Sequence, residues 1–90
     1  MAEVVFNLEG TNTTIQCNID EKMKEIINRF LIKINNNKNN NNLFYLYNGT
    51  RINKELSFNE QANKLDKNRK KINVINNINN SEEPKINKEI

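Results

Sequence analysis

Apolar residues recur along this chain with two different periods. Val4-Val5-Phe6-Asn7-Leu8 is a short β-rich run. Thr13-Thr14-Ile15-Gln16-Cys17 alternates, with Thr13, Ile15 and Cys17 on one side and Thr14 and Gln16 on the other. The intervening Glu9-Gly10-Thr11-Asn12 is turn chemistry, so the two runs read as a β-hairpin. The period then lengthens. Met23, Ile26, Ile27, Phe30, Leu31 and Ile34 recur at three- and four-residue spacings, and Lys22, Lys24, Glu25, Asn28, Arg29 and Lys33 flank or separate them. That pattern predicts an amphipathic helix of about three to four turns. Asn18 or Asp20 is placed to cap it, and Asn18 to Glu21 has the spacing of a capping box.

Asparagine stops the helix. The segment 35–42 is Asn apart from Lys38, favours neither a helix interior nor a core, and is expected to be a loop. Leu43-Phe44-Tyr45-Leu46-Tyr47 is the next strand, and it breaks at Asn48-Gly49. This dipeptide accepts positive φ at both positions, so the chain should reverse tightly there. Ile52 follows as a lone buried anchor. Leu56, Phe58, Ala62 and Leu65 are the apolar points of a compact turn or short helix, and Asp66–Lys71 reads as a charged loop. The last strand runs from Lys71 to Ile75, with Ile78 as its furthest reach. Residues 79–90 bring Pro84, mixed charges and no apolar cluster, and are expected to be a disordered polar tail.

Hairpin, helix, strand, irregular segment and strand make an α+β chain, in which the apolar stripe of one helix is buried by a sheet. One domain over residues 1–78 is expected. Its core should bring together Ile15, Met23, Ile26, Phe30, Tyr45, Ile52, Leu56, Ile72 and Val74.

Composition changes this picture little. Apolar residues are 36% of the chain and mean hydropathy is −0.86. Asparagine, about a quarter of all positions, dilutes the periodic segments without replacing them. The net charge of +3 is unevenly spread: residues 1–20 hold Glu3, Glu9 and Asp20 with no base, and Arg51–Lys71 is rich in Lys and Arg. The absence of histidine removes imidazole metal ligands and imidazole acid–base catalysis. One cysteine, Cys17, excludes an internal disulfide and reads as a small buried residue. No apolar run approaches the ~20 residues that span a bilayer. The expectation is a soluble cytoplasmic or nuclear protein without cofactor, metal, small-molecule substrate or membrane contact.

The order of these elements, with Tyr47-Asn48-Gly49 leading to Arg51-Ile52 and Leu56-Ser57 further on, resembles the ubiquitin-like domains. The helix stripe Met23, Ile26, Phe30 is similar in the same way. The resemblance covers Val4 to Ile78 and implies a β-grasp fold, ββαββ, with the last strand parallel to the first. This chain departs from the pattern in a longer asparagine loop, a longer segment between Ala62 and Ile72, and the lack of a C-terminal Gly-Gly. Its glycines are Gly10 and Gly49, both expected in turns of the fold, so the resemblance implies a non-conjugated type.

Strand alternation turns Leu43, Tyr45 and Tyr47 toward the helix and leaves Phe44 and Leu46 outside. In the last strand, Ile72 and Val74 turn inward and Asn73 and Ile75 outward. Leu46 and Ile75 then stand where ubiquitin carries two members of its apolar recognition patch. Leu8, from the first turn, is the candidate third, and Phe44 adds an apolar side chain where ubiquitin has a basic one. The resemblance thus implies a non-catalytic adaptor that binds other proteins through Leu8, Phe44, Leu46 and Ile75, monomeric when free. Coverage of these residues by the segment 76–90 is the alternative to a partner, and a subunit held permanently in a larger assembly is the alternative function. Lys64, Lys67, Arg69, Lys70 and Lys71 form a basic loop that could meet an acidic partner. Without interleaved aromatics or a nucleic-acid motif, RNA contact is the weaker reading of that loop.

Overall fold

A computed structural model describes residues 1–34 and 43–78. The expectations for the 35–42 loop and the 79–90 tail lie outside the described residues. The chain begins with β1 (Ala2–Leu8) and β2 (Thr11–Cys17), then α1 (Met23–Lys33). After β3 (Leu43–Tyr47) and a two-residue β4 (Thr50–Arg51) come two short helices, α2 (Phe58–Gln61) and α3 (Lys64–Arg69), and finally β5 (Lys71–Ile78). The five strands form one sheet in the order β2-β1-β5-β3-β4. β1 and β5 run parallel and every other pair is antiparallel, so the sheet is mixed, as the resemblance implied.

Both hairpins turn on two residues with positive φ. Glu9 and Gly10 (φ 53° and 84°) join β1 to β2, and Asn48 and Gly49 (φ 53° and 79°) join β3 to β4. Mirror-image turns of this kind match the right-handed twist of the flanking strands. The first loop is tighter than the expected Glu9–Asn12, because Thr11 already pairs with Leu8.

α1 begins differently from the expectation. Its N-cap is Lys22, which makes no side-chain cap bond. Asn18 and Glu21 close a turn ahead of the helix instead: the Glu21 N–H donates to the Asn18 carbonyl at 3.1 Å, and the Asn18 N–H to Glu21 Oε1 at 3.3 Å. The free N–H groups of the first turn are met by distant carbonyls, Met23 N–H by Leu56 at 2.8 Å and Lys24 N–H by Lys54 at 3.1 Å. The cap is supplied by tertiary structure, which satisfies the same donors that a local side chain would.

Inward residues of β1, β5 and β3 meet the stripe of α1. Val4, Phe6, Ile72, Val74, Met23, Ile26 and Phe30 are fully buried, and Ile15, Leu43, Tyr45 and Tyr47 nearly so. The rings of Phe6 and Phe30 stack at 4.2 Å between centroids, and Tyr45 stands edge-on to both at 6.1 and 6.4 Å. These are the favoured geometries for aromatic groups, whose faces are negative and edges positive. Ile52 and Leu56, expected in the core, are half-buried. Phe58 takes the deeper place at the start of α2, where Ser57 and Glu60 make a reciprocal capping box. Leu65 is not a core residue: it is 69% exposed on α3.

The expected charged loop Asp66–Lys71 is instead helical as far as Arg69, in a helix that begins at Lys64. Asn63 caps it by accepting from the Asp66 N–H at 2.8 Å, and Lys70 ends it in a left-handed conformation (φ 56°). Tyr47 anchors it from below, its hydroxyl donating to Asp66 Oδ2 at 2.6 Å and accepting from the Asn63 N–H at 3.0 Å. Asn76 was not foreseen as a core residue. It continues the inward series of β5 beside Leu8 and Tyr45 and is 2% exposed.

Candidate protein-binding face

The face of the sheet turned away from α1 can be read from register. In the antiparallel pair β3–β5, Leu46 lies opposite Ile75 and Phe44 opposite Asn77. Ile75 lies beside Asn7 of β1 on its other side, and Leu46 beside Arg51 of β4. One row across the sheet is therefore Asn12, Asn7, Ile75, Leu46 and Arg51. The neighbouring row holds Thr14, Val5 and Asn73. Ile75 is 54% exposed, and Val5, Phe44 and Leu46 are half-buried.

Phe44, Leu46 and Ile75 are thus brought together as expected from alternation. Leu8 is not. Its strand partners are Thr11 and Asn76, it shares the inward side of β1 with Val4 and Phe6, and it packs against the core. The strand continues through Leu8 before turning at Glu9, which keeps Leu8 on the inner face. Val5 was missed as a member of the outer group. Its signal was present, since an inward Val4 and Phe6 leave Val5 outward.

The Arg51 guanidinium lies 4.8 Å from the centre of the Phe44 ring, a cation–π arrangement that covers part of the ring and puts a positive charge at the edge of the apolar group. Asn7, Asn12, Thr14, Asn73 and Asn77 surround the rest. Around Ile75, Leu46 and Phe44 the border of the outer face is polar, with Arg51 beside Phe44, and beyond Val5 the same face carries the Glu3–Lys71 pair.

The basic residues do not join this face as a group. Lys64, Lys67, Arg69 and Lys70 belong to α3 and its cap. Arg69 pairs with Asp66 at 3.1 Å, and Lys71, on the outer face of β5, pairs with Glu3 at 3.8 Å. Exposed pairs of this kind contribute about 0–1 kcal/mol each. Lys64, Lys67 and Lys70 remain exposed around a single short helix.

Titratable groups elsewhere are structural in their surroundings. Burial, then the nearby Glu21 carboxylate, pushes the Cys17 thiol up to about 11, so it stays protonated and a poor nucleophile. The Arg29 side chain, bonded to Glu21 and to the Gln16 carbonyl at 2.8 Å, ties α1 to β2 and holds the Glu21 carboxyl below its ordinary value. Burial pushes the Tyr45 hydroxyl up to about 12. Among the described residues, no three His, Cys, Asp or Glu side chains are grouped to hold a metal ion, and no helix is long and apolar enough to cross a membrane.

No protein-family model matches this sequence, and no curated protein does. Solved structures match over nearly the whole chain. The ubiquitin-like domain of an Arabidopsis thaliana protein, in its solution NMR structure, superposes with a TM-score of 0.64 at 13% identity over 94% of this chain and 84% of that one. A second determination of the same Arabidopsis protein, from evolutionary couplings and sparse NMR data, gives 0.64 at 14% identity over 96% and 89%. A de novo designed protein based on ubiquitin gives 0.62 at 15% identity over 89% and 90%. The fold is a ubiquitin-like β-grasp. At these identities the likeness is one of fold, carried by the sheet order and by the helix that crosses it.

Proposed function

We propose that this β-grasp domain is a non-catalytic protein-interaction module that docks a partner on its outer sheet face. The observation that carries the reading is the pairing of Ile75, more than half exposed on a central strand, with Leu46 directly across from it and Phe44 on the same side. A large aliphatic side chain left in water at the middle of a sheet, with apolar neighbours on the adjoining strand, is the surface that a partner would desolvate with gain. The supporting fold is one in which the helix covers only one side of the sheet.

Ile75→Ala tests the reading. Captured partners, identified by mass spectrometry after pull-down with the unaltered chain, should be lost from the variant, while the melting temperature changes little because an exposed site costs within about 0.5 kcal/mol. Undiminished capture would remove the outer face from the interaction. A stability loss of core size, roughly 2–5 kcal/mol, would show that Ile75 is covered in the folded protein.

A further inference from the structure

The outer edge of β3 is only partly closed. β4 has two residues and pairs with Leu46 and Tyr47 alone, after which the Ile52 N–H reaches the Tyr45 carbonyl at 2.9 Å. The chain then leaves the sheet toward α1, where the Lys54 carbonyl meets the Lys24 N–H. In a strand the N–H and C=O of one residue point to the same side, and those two residues apart point alike. The Tyr45 N–H and both backbone groups of Leu43 therefore face the edge that β4 has left, with no backbone partner on that side among the described residues. A groove of about 540 Å³ opens there, with Phe44, Tyr45, Ile52 and Lys54 among its walls.

Charge is placed in this groove with a definite geometry. Arg51 lies over the ring of Phe44 on the outer face, and the Lys54 ammonium lies 5.6 Å from the ring centre of Tyr45 on the inner side. Among the described residues neither cation has a carboxylate partner. The one acid in the groove wall, Glu55, is already held by Lys22 at 3.8 Å and Lys24 at 3.4 Å. Among the described residues, the open edge is thus flanked by one cation without a carboxylate partner on each side of the sheet, Arg51 and Lys54.

We propose that this edge accepts an extended segment of another protein as an added strand, and that the segment carries two adjacent acidic residues among aliphatic ones. Backbone pairing to Leu43 and Tyr45 would supply the anchoring. Successive side chains of a strand point to opposite faces, so neighbouring carboxylates would reach Arg51 on one side and Lys54 on the other. Two acids separated by one residue would both fall on the same side and meet one cation. The site shares Phe44 and Arg51 with the outer face, and its backbone anchoring at Leu43 and Tyr45 does not depend on Ile75 or Leu46.

The test uses the full isotope-labelled chain and a capped peptide, Val-Ile-Glu-Glu-Val-Ser, followed by NMR. Amide shifts should change at Leu43, Tyr45 and Ile52–Lys54, and the Tyr45 N–H should exchange more slowly. The double change Arg51→Glu, Lys54→Glu should weaken binding at least about tenfold, and a peptide with the two acids one residue apart should bind several-fold more weakly. Both positions are exposed, so the fold should survive. Should the double variant melt early, Arg51→Ala and Lys54→Ala, measured singly, are each expected to lower affinity. Equal binding of a Lys-Lys peptide, insensitivity to charge reversal, or shifts centred on Asn73–Asn77 would overturn the proposal.

Discussion

Two tyrosines of one strand meet the core in opposite ways. Tyr45 and Tyr47 are two residues apart on β3, both point toward the helix side, and they are 3% and 6% exposed. The Tyr47 hydroxyl has a complete set of partners in Asp66 and the Asn63 N–H. The Tyr45 hydroxyl has none among the described residues, and neither has the side-chain amide of Asn76, the residue across from it on β5. An unpaired buried polar group costs about 1–3 kcal/mol, whereas a paired one returns about 0.5–1.5 kcal/mol. The same residue type on the same face therefore steadies the sheet at the end of β3 and weakens it at the middle of that strand. The difference comes from the neighbours: α3 and its Asn63 cap supply partners to the Tyr47 hydroxyl, whereas Tyr45 stands edge-on to the Phe6 and Phe30 rings.

The largest effect removes what both tyrosines share. Phe30 is fully buried, stacked on Phe6 and edge-on to Tyr45. Phe30→Ala should cost about 3–5 kcal/mol, a large part of the 5–15 kcal/mol that holds a typical domain together, and leave much of the chain unfolded by circular dichroism. Survival with an unchanged melting temperature would mean that Phe30 is not the centre of the core.

Tyr47→Phe comes next and acts on the satisfied tyrosine alone. It removes the partner of Asp66 Oδ2 and of the Asn63 N–H, while Arg69 still holds Asp66 Oδ1, for an expected loss of about 1–3 kcal/mol in denaturant titration. Faster amide exchange at Asn63 and along α3 should accompany it. A neutral result would show that solvent reaches these groups and that the two tyrosines differ less than their bonding implies.

Asn76→Val should run the other way. The valine side chain suits a strand, keeps contact with Leu8 and Tyr45, and removes two unpaired polar atoms, so a gain of about 1–2 kcal/mol is expected. Lower stability would show that the amide has a partner in the folded protein. Tyr45→Phe should be the mildest change, a gain under ~1 kcal/mol, since it keeps the ring and deletes only the orphan hydroxyl. Together these substitutions read the asymmetry from both sides.

Much of this architecture was legible in the chain. The stripe Met23, Ile26, Phe30 and the alternation in 43–47 and 72–75 are properties of sequence spacing, and a buried face follows once the period is known. The sides of Phe44, Leu46 and Ile75 were readable for the same reason. Leu8 was not, because its side depends on whether the strand ends before or after it. The helical state of Lys64–Arg69 was also hidden. A six-residue helix with no buried side chain has almost no apolar period to detect, and its order rests on Asn63, Lys70 and the Tyr47 hydroxyl.

Local chemistry by itself determined the long helix, the main strands, the Asn48-Gly49 reversal and the two faces of β3 and β5, because those depend on backbone sterics and on period. Tertiary structure alone decided which polar groups are satisfied. The start of α1 is capped by Leu56 and Lys54 carbonyls some thirty residues away, Tyr47 finds Asp66, and Tyr45 and Asn76 find nothing among the described residues. A hydrogen bond needs its partner within about 3 Å and aligned, and only the packed chain places two distant residues so closely.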